Sequence, residues 1–249
     1  MAIQPWRTGK VIRISDETYN TKRFWIQVPE LESFDFTAGQ FVTVDFPIHE
    51  KPNKRWRSYS IASWPDGSNI FELLVVLLEG GAGSTYLFTE VEEGSELTYR
   101  GPQGVFTLPD PIDKDLFLIC TGTGIAPFRS MANYIQLHNI LHKNIYLIFG
   151  CRTQKDLLYY DEMKAMENKL ENFIYMPTLS REGWDGHTGY VHGLYEEICN
   201  KNKEACEDLE ELKPVKFYLC GWKAMIDDAK KKIIELGYDR KAIHQELYG

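Results

Sequence analysis

The sequence predicts a small antiparallel β-barrel followed by a doubly wound α/β domain, and three observations carry that prediction. Up to about Leu108 the apolar residues come in short β-branched and aromatic runs separated by Gly, Pro, Asp and Asn. From Asp115 onward, apolar runs of strand length alternate with stretches of helical period. Between them lie residues 109–114 (PDPIDK), whose prolines suit neither element, so the expected division is 1–108 and 109–249.

In the first half, residues 11–14, 23–28, 41–46, 58–61, 70–77 and 96–99 read as strands. Six short strands with little room for helices fit a barrel, which closes its own edges. In the second half, residues 116–120, 145–149, 173–178 and 216–220 read as strands, and 128–141, 156–170, 193–200 and 223–236 as helices. Strands joined through helices run parallel, because the crossover returns each strand to the same end of the sheet.

Composition excludes several functions. Of 249 residues, 43% are hydrophobic and 26% charged, values of an ordinary globular chain. The longest apolar runs, such as 73–78, fall far short of the roughly 18 residues a spanning helix needs. The opening MAIQPWRTGK has neither an apolar stretch nor a small-residue cleavage site, so a cytoplasmic protein without membrane insertion is expected. Net charge is −8 and evenly spread, which argues against nucleic acid, whose binders concentrate positive charge. Five scattered cysteines (120, 151, 199, 206 and 220) make neither a disulfide framework nor an iron–sulfur run. His138 and His142 have helical zinc spacing but no accompanying Glu or third ligand, so no metal is expected.

Three clusters carry chemistry. Thr121-Gly122-Thr123-Gly124-Ile125-Ala126-Pro127 follows a strand and opens a helix, where glycines let the backbone approach a pyrophosphate. Alone, a G-x-G fits a plain strand-to-helix turn equally well. Arg57-Ser58-Tyr59-Ser60 lies on a strand, so Arg57 and Tyr59 share one face. That pair suits a phosphate beside a flat aromatic ligand, and also a half-exposed barrel strand. Gly80-Gly81-Ala82-Gly83-Ser84-Thr85 places three glycines before a Ser/Thr helix cap, a backbone cradle for an anion or a flexible hairpin.

Taken in this order, the clusters resemble the ferredoxin–NADP reductase superfamily of flavoproteins. RSYS is similar to its R-x-Y-S flavin motif, GGAGST to its flavin-phosphate motif, and GPQGVF (101–106) to the segment closing the flavin domain. TGTGIAPF resembles its pyridine-nucleotide motif, and CGWKAM (220–225) its C-G-x-x-x-M. The resemblance covers nearly the whole chain.

It implies roles by position. Arg57 would pair with the flavin phosphate, Tyr59 would stack on the isoalloxazine and Ser60 would hydrogen-bond near its N5. Gly81, Gly83 and Ser84 would cradle phosphates. Gly122, Thr123 and Gly124 would hold the nucleotide pyrophosphate, while Cys220, with Gly221 and Met225 of the same motif, would sit against the nicotinamide. Tyr248 would cover a flavin face, although Gly249 extends the chain past the family's terminal tyrosine, and Glu246 would neighbour the flavin edge or simply sit on an edge strand.

Ser180 and Arg181 follow the third strand of the second domain, where NADP-using relatives carry a Ser-Arg pair for the 2′-phosphate; Arg152 and Lys155 stand ready to help. NADPH is therefore expected ahead of NADH, and FAD ahead of FMN. The function implied is hydride transfer at flavin N5 coupled to a one-electron carrier such as ferredoxin or flavodoxin. An oxygenase component or free flavin is the alternative acceptor, and a flavin subunit without nicotinamide chemistry is the rival reading. The loop 47–56, with Lys51, Lys54, Arg55 and Trp56, is a basic-aromatic patch suited to the FAD adenine or an acidic redox partner.

Overall fold

Short apolar and β-branched runs build six antiparallel strands: β1 (Trp6–Thr18), β2 (Thr21–Gln27), β3 (Phe41–Asp45), β4 (Trp56–Ser60), β5 (Ile70–Val76) and β6 (Glu96–Gln103). The computed structural model describes residues 4–204 and 212–248; Cys206 and Gly249 lie outside them. The strands follow the order β4-β3-β6-β1-β2-β5. The two end strands are tied where the chain leaves β4. Ile61 bridges Leu73 of β5, and the Ala62 N–H donates to the Glu72 carbonyl at 2.8 Å. This tie closes the sheet into the expected barrel. Phe24 and Ile26 of β2, Val42 and Val44 of β3, and Phe71, Leu73 and Val75 of β5 all enter one apolar core, as a period of two requires.

Two short helices punctuate the barrel. α1 (Pro52–Arg55) occupies the basic loop, and α2 (Ala82–Thr89) follows the glycine run. α2 lacks the expected Ser/Thr cap: Gly81 is the N-cap and Ser84 lies inside the first turn. Its hydroxyl donates back to the Gly81 carbonyl at 3.0 Å and accepts the Leu78 N–H at 3.1 Å, so it shapes the loop from within.

The second sheet is parallel: β7 (Asp115–Thr121), β8 (Ile145–Cys151), β9 (Phe173–Leu179), β10 (His187–Thr188), β11 (Val215–Trp222) and β12 (Ile243–Tyr248), in the order β10-β9-β8-β7-β11-β12. Its helices are α3 (Ala126–His138), α4 (Tyr160–Met166), α5 (Val191–Glu204) and α6 (Lys223–Glu235). The chain leaves β7 in one direction through β8, β9 and β10, then returns to β7's other side with β11. The topological switch therefore lies between β7 and β11, where open α/β sheets bind ligands beyond the carboxyl ends of their strands. The expected helix over 156–170 is shorter than its sequence suggests. A 3₁₀ turn at Gln154–Asp156, capped reciprocally by Thr153 and Asp156, is followed by Tyr159 at φ +51°, and regular helix begins only at Tyr160.

By contacts the chain forms two units: residues up to Leu108 with Ala126–Tyr134, and Pro109–Ile125 with the chain from Ile135 onward. Inside the first unit is a buried ion network. Glu72, 2% exposed, accepts Arg23 Nε at 2.7 Å and Arg129 Nη1 at 3.0 Å; Arg129 also donates to the Ala62 carbonyl at 2.8 Å. No helix among the described residues is long and apolar enough to cross a membrane.

Candidate functional site

In the first unit, β4 pairs with β3 so that Arg57 lies opposite Val44 and Tyr59 opposite Val42. Both therefore leave the strand on the side of the buried valines, while Ser58 is exposed and bonds Thr43 across the pair at 3.1 Å. Arg57 Nη1 donates to the carbonyls of Lys54 and Trp56, at 3.1 and 2.8 Å. These bonds aim the guanidinium without neutralising it, and no carboxylate pairs with it among the described residues. Tyr59 meets the Phe46 ring edge-on at 6.3 Å, and burial pushes its hydroxyl pKa up, against the opposing pull of Arg57. Ser60 is buried, 3% exposed, beside the tie that closes the barrel.

The glycine run comes to the same place. A Cβ on Gly83 would touch Arg57 Cγ at 3.0 Å, and one on Gly81 would meet Ser84 Oγ at 2.8 Å and the Leu78 carbonyl at 3.1 Å. Small residues here let the N-terminus of α2 lie directly against the arginine. No side chain caps that terminus, and the first-turn N–H groups of a helix have no helical acceptor. Uncapped N–H groups beside an unneutralised guanidinium fit a phosphate, which supports the flavin cradle on physical grounds.

In the second unit, both nucleotide motifs end at the switch point. The turn Gly122–Ile125 follows β7, and Gly221 and Trp222 finish β11. They are fitted to each other: a Cβ on Gly124 would lie 2.4 Å from the Cys220 carbonyl oxygen, and one on Gly221, at φ +141°, would lie 2.5 Å from Thr121 Oγ1. That Thr121 hydroxyl is buried without a hydrogen-bond partner, a donor and acceptor left over at the crevice that a carboxamide or ribose group fits. The sequence places Thr121 at the head of the TGTGIAPF cluster but gives its hydroxyl no role. Thr123 is half-buried in the turn, whereas Met225 packs its side chain against the apolar core under α6.

β12, read in the sequence only as the edge-strand alternative for Glu246, pairs with β11 so that Glu246 stands beside Cys220 and Tyr248 beside Trp222. On the other side Cys220 registers with Cys120 of β7. Cys220 is fully buried, and burial raises its thiol pKa well above the ordinary value; Glu246 and Cys120 add to the rise, while a hydrogen bond with Tyr248 opposes it. The thiol is thus a neutral, compact group and no thiolate nucleophile.

Ser180 and Arg181 continue the β8–β9 ladder. Ser180 donates from both N–H and hydroxyl to the Cys151 carbonyl, at 3.0 and 3.2 Å, and the Arg181 N–H donates to the Arg152 carbonyl at 2.9 Å. Arg152 and Arg181 are thereby side by side and exposed, with no carboxylate bonded to either among the described residues. The Cys151 thiol beside them is pushed up to about 12, chiefly by burial. Of the basic-aromatic loop, Arg55 is taken by Asp45 at 2.6 Å, while Lys51 and Lys54 remain exposed.

Two family models match in chain order: an oxidoreductase FAD-binding domain over residues 8–108 and an oxidoreductase NAD-binding domain over 118–231. Ferredoxin–NADP reductase B of Sorangium cellulosum is 35% identical over 224 residues, 87% of each chain. The glycine betaine monooxygenase reductase subunit of Pseudomonas aeruginosa is 30% identical across 99% of this chain, which spans 66% of that longer protein. Among solved structures, a Neisseria gonorrhoeae ferredoxin NADP+ reductase with bound FAD and NADP superposes with a TM-score of 0.78 at 25% identity, covering 97% of this chain and 98% of that one. The chain belongs to the ferredoxin–NADP reductase superfamily, as an oxidoreductase with an FAD-binding barrel and an NAD-binding α/β domain.

Proposed function

We propose that this protein passes electrons between NADPH and a separate one-electron carrier such as ferredoxin or flavodoxin, with residues 1–108 serving the flavin and 109–249 the nicotinamide nucleotide. The meeting of Gly83 with Arg57 carries the reading, because it joins two flavin motifs distant in sequence into one anion cradle. FAD held there would supply the redox chemistry, that of hydride exchange at N5 and one-electron transfer. The chain's own residues position and shield. Arg57 and the N-terminus of α2 hold the flavin phosphates, Tyr59 supports the ring face, and Ser60 offers a hydrogen bond near its edge. Gly122, Thr123 and Gly124 hold the dinucleotide, and Gly221 leaves room beside them. The buried neutral thiol of Cys220 and the Tyr248 side chain, hydrogen-bonded to it through its hydroxyl, keep water from the nicotinamide, with Glu246 as the neighbouring acid.

NADPH is favoured over NADH by Arg152 and Arg181. Two exposed arginines tied together at neighbouring strand ends, neither bonded to a carboxylate among the described residues, suit the dianionic 2′-phosphate, which NADH lacks. Ser180 contributes less, since its hydroxyl proton is spent on the Cys151 carbonyl. The second reading, a reductase component of an oxygenase, rests on the likeness to the glycine betaine monooxygenase reductase subunit.

The test is NADPH-dependent reduction of a purified ferredoxin by the FAD-loaded protein. Turnover that needs both flavin and nucleotide supports the proposal. Electron delivery only to an oxygenase component selects the second reading, and reduction of no acceptor overturns both.

A further inference from the structure

We infer that Trp222 contacts the bound dinucleotide, its indole N–H donating to the diphosphate above Gly122. The inference rests on the nicotinamide nucleotide binding proposed above. Trp222 is the last residue of β11 and the N-cap of α6, with φ −67° and ψ 141°, so it stands where the strand gives way to helix at the switch point. Its side chain is 49% exposed although the five strand residues before it, 217–221, are buried. An aromatic ring half in water at such a place leaves apolar area that a ligand would cover.

Its direction is set by Gly122. The Cβ position of that glycine lies 4.0 Å from Trp222 Nε1 and has no other heavy atom within that range. Gly122, at φ +54°, opens the turn Gly122–Ile125, whose backbone N–H groups suit a diphosphate. The indole N–H points across from β11 to the first residue of the β7 turn and has no acceptor among the described residues. A donor without an acceptor, beside a turn of backbone donors, fits an anion and not another donor. The orphaned Thr121 hydroxyl next to Gly221 shows that neighbouring polar groups there also await a partner. A diphosphate oxygen over Gly122 would take the indole proton while the ring covered the adjoining ribose.

The test compares the FAD-loaded protein with its Trp222→Phe variant, which keeps a ring and loses the donor, using calorimetric titration with NADP+, ADP-ribose and 2′-AMP. A hydrogen bond to a charged oxygen predicts about a tenfold or greater loss of affinity for NADP+ and ADP-ribose, both of which carry a diphosphate. The affinity for 2′-AMP, which carries none, should stay unchanged. A second readout uses the native chain: the indole N–H proton resonance missing from the variant's spectrum should shift on adding ADP-ribose and stay still with 2′-AMP. Unchanged binding of all three ligands, or an equal loss for 2′-AMP, overturns the role of Trp222 while nucleotide binding stands. If the native protein binds neither NADP+ nor ADP-ribose, the proposed function falls and takes this inference with it.

Discussion

Gly83, in the first turn of α2, stands against Arg57 of β4 so closely that a single added carbon would lie 3.0 Å from the arginine's Cγ. An arginine and a helix N-terminus can share one phosphate only if nothing separates them, and glycine is the residue that leaves nothing between. Gly83→Val should therefore displace the guanidinium and weaken FAD binding about tenfold, measured by fluorescence titration of the apoprotein. Arg57→Ala should cost at least as much, since it removes a charge-assisted bond.

Gly124 meets backbone in place of a side chain. A methyl group there would sit 2.4 Å from the Cys220 carbonyl oxygen and 2.7 Å from its carbon, atoms that move only with β11 itself. Gly124→Ala should destabilise the fold by about 1–3 kcal/mol, read from denaturant unfolding, and weaken nucleotide binding as well.

The barrel's buried carboxylate invites a sharper change. Glu72 accepts bonds from Arg23 and Arg129, and its side chain and that of Arg129 are only 2% and 5% exposed. Glu72→Ala removes the carboxylate that Arg23 and the buried Arg129 share and should cost about 3–5 kcal/mol of stability, measured by chemical denaturation.

Much of this fold is legible in the sequence because short apolar, β-branched runs bounded by Gly, Pro, Asp and Asn mark its strands. The runs at 41–46 and 70–77 become β3 and β5 with Val42, Val44, Phe71 and Leu73 facing one core. The helix over 156–170 is not legible, because the interruption is Tyr159 in a left-handed conformation that tyrosine does not advertise. β12 escapes for another reason: its residues alternate only between exposed and half-buried, so no apolar run marks it. At the site, spacing alone puts Arg57 and Tyr59 on one face. That Ser180 spends its hydroxyl proton on the Cys151 carbonyl depends on how β8 and β9 end together, which no local pattern records.

Nucleotide choice follows from those strand ends. Arg181→Ala should lower kcat/KM for NADPH by about tenfold or more while leaving NADH within about threefold, because only the former carries the phosphate that a guanidinium pairs with. Ser180→Ala should change either value by less than about threefold. A uniform loss for both nucleotides would show that Arg181 reads something other than the 2′-phosphate.

Buried thiols give the protein an alkaline weakness. Burial raises Cys151 to about 12, from an ordinary value near 9. Above pH 9 the unfolded chain gives up the proton that the folded chain keeps, so the native state binds more protons and stability falls as pH rises toward 12. Cys151→Ala should flatten that decline, measured as unfolding free energy between pH 8 and pH 11 (roughly two units above the ordinary thiol range). Cys220, buried completely, should resist alkylation at pH 8 in the folded protein.

The most direct test of the account is an anaerobic titration of the FAD-loaded protein with NADPH and, separately, NADH, following the visible flavin absorbance. NADPH should bleach the flavin rapidly and NADH slowly. Bleaching by dithionite but by neither nucleotide would contradict it.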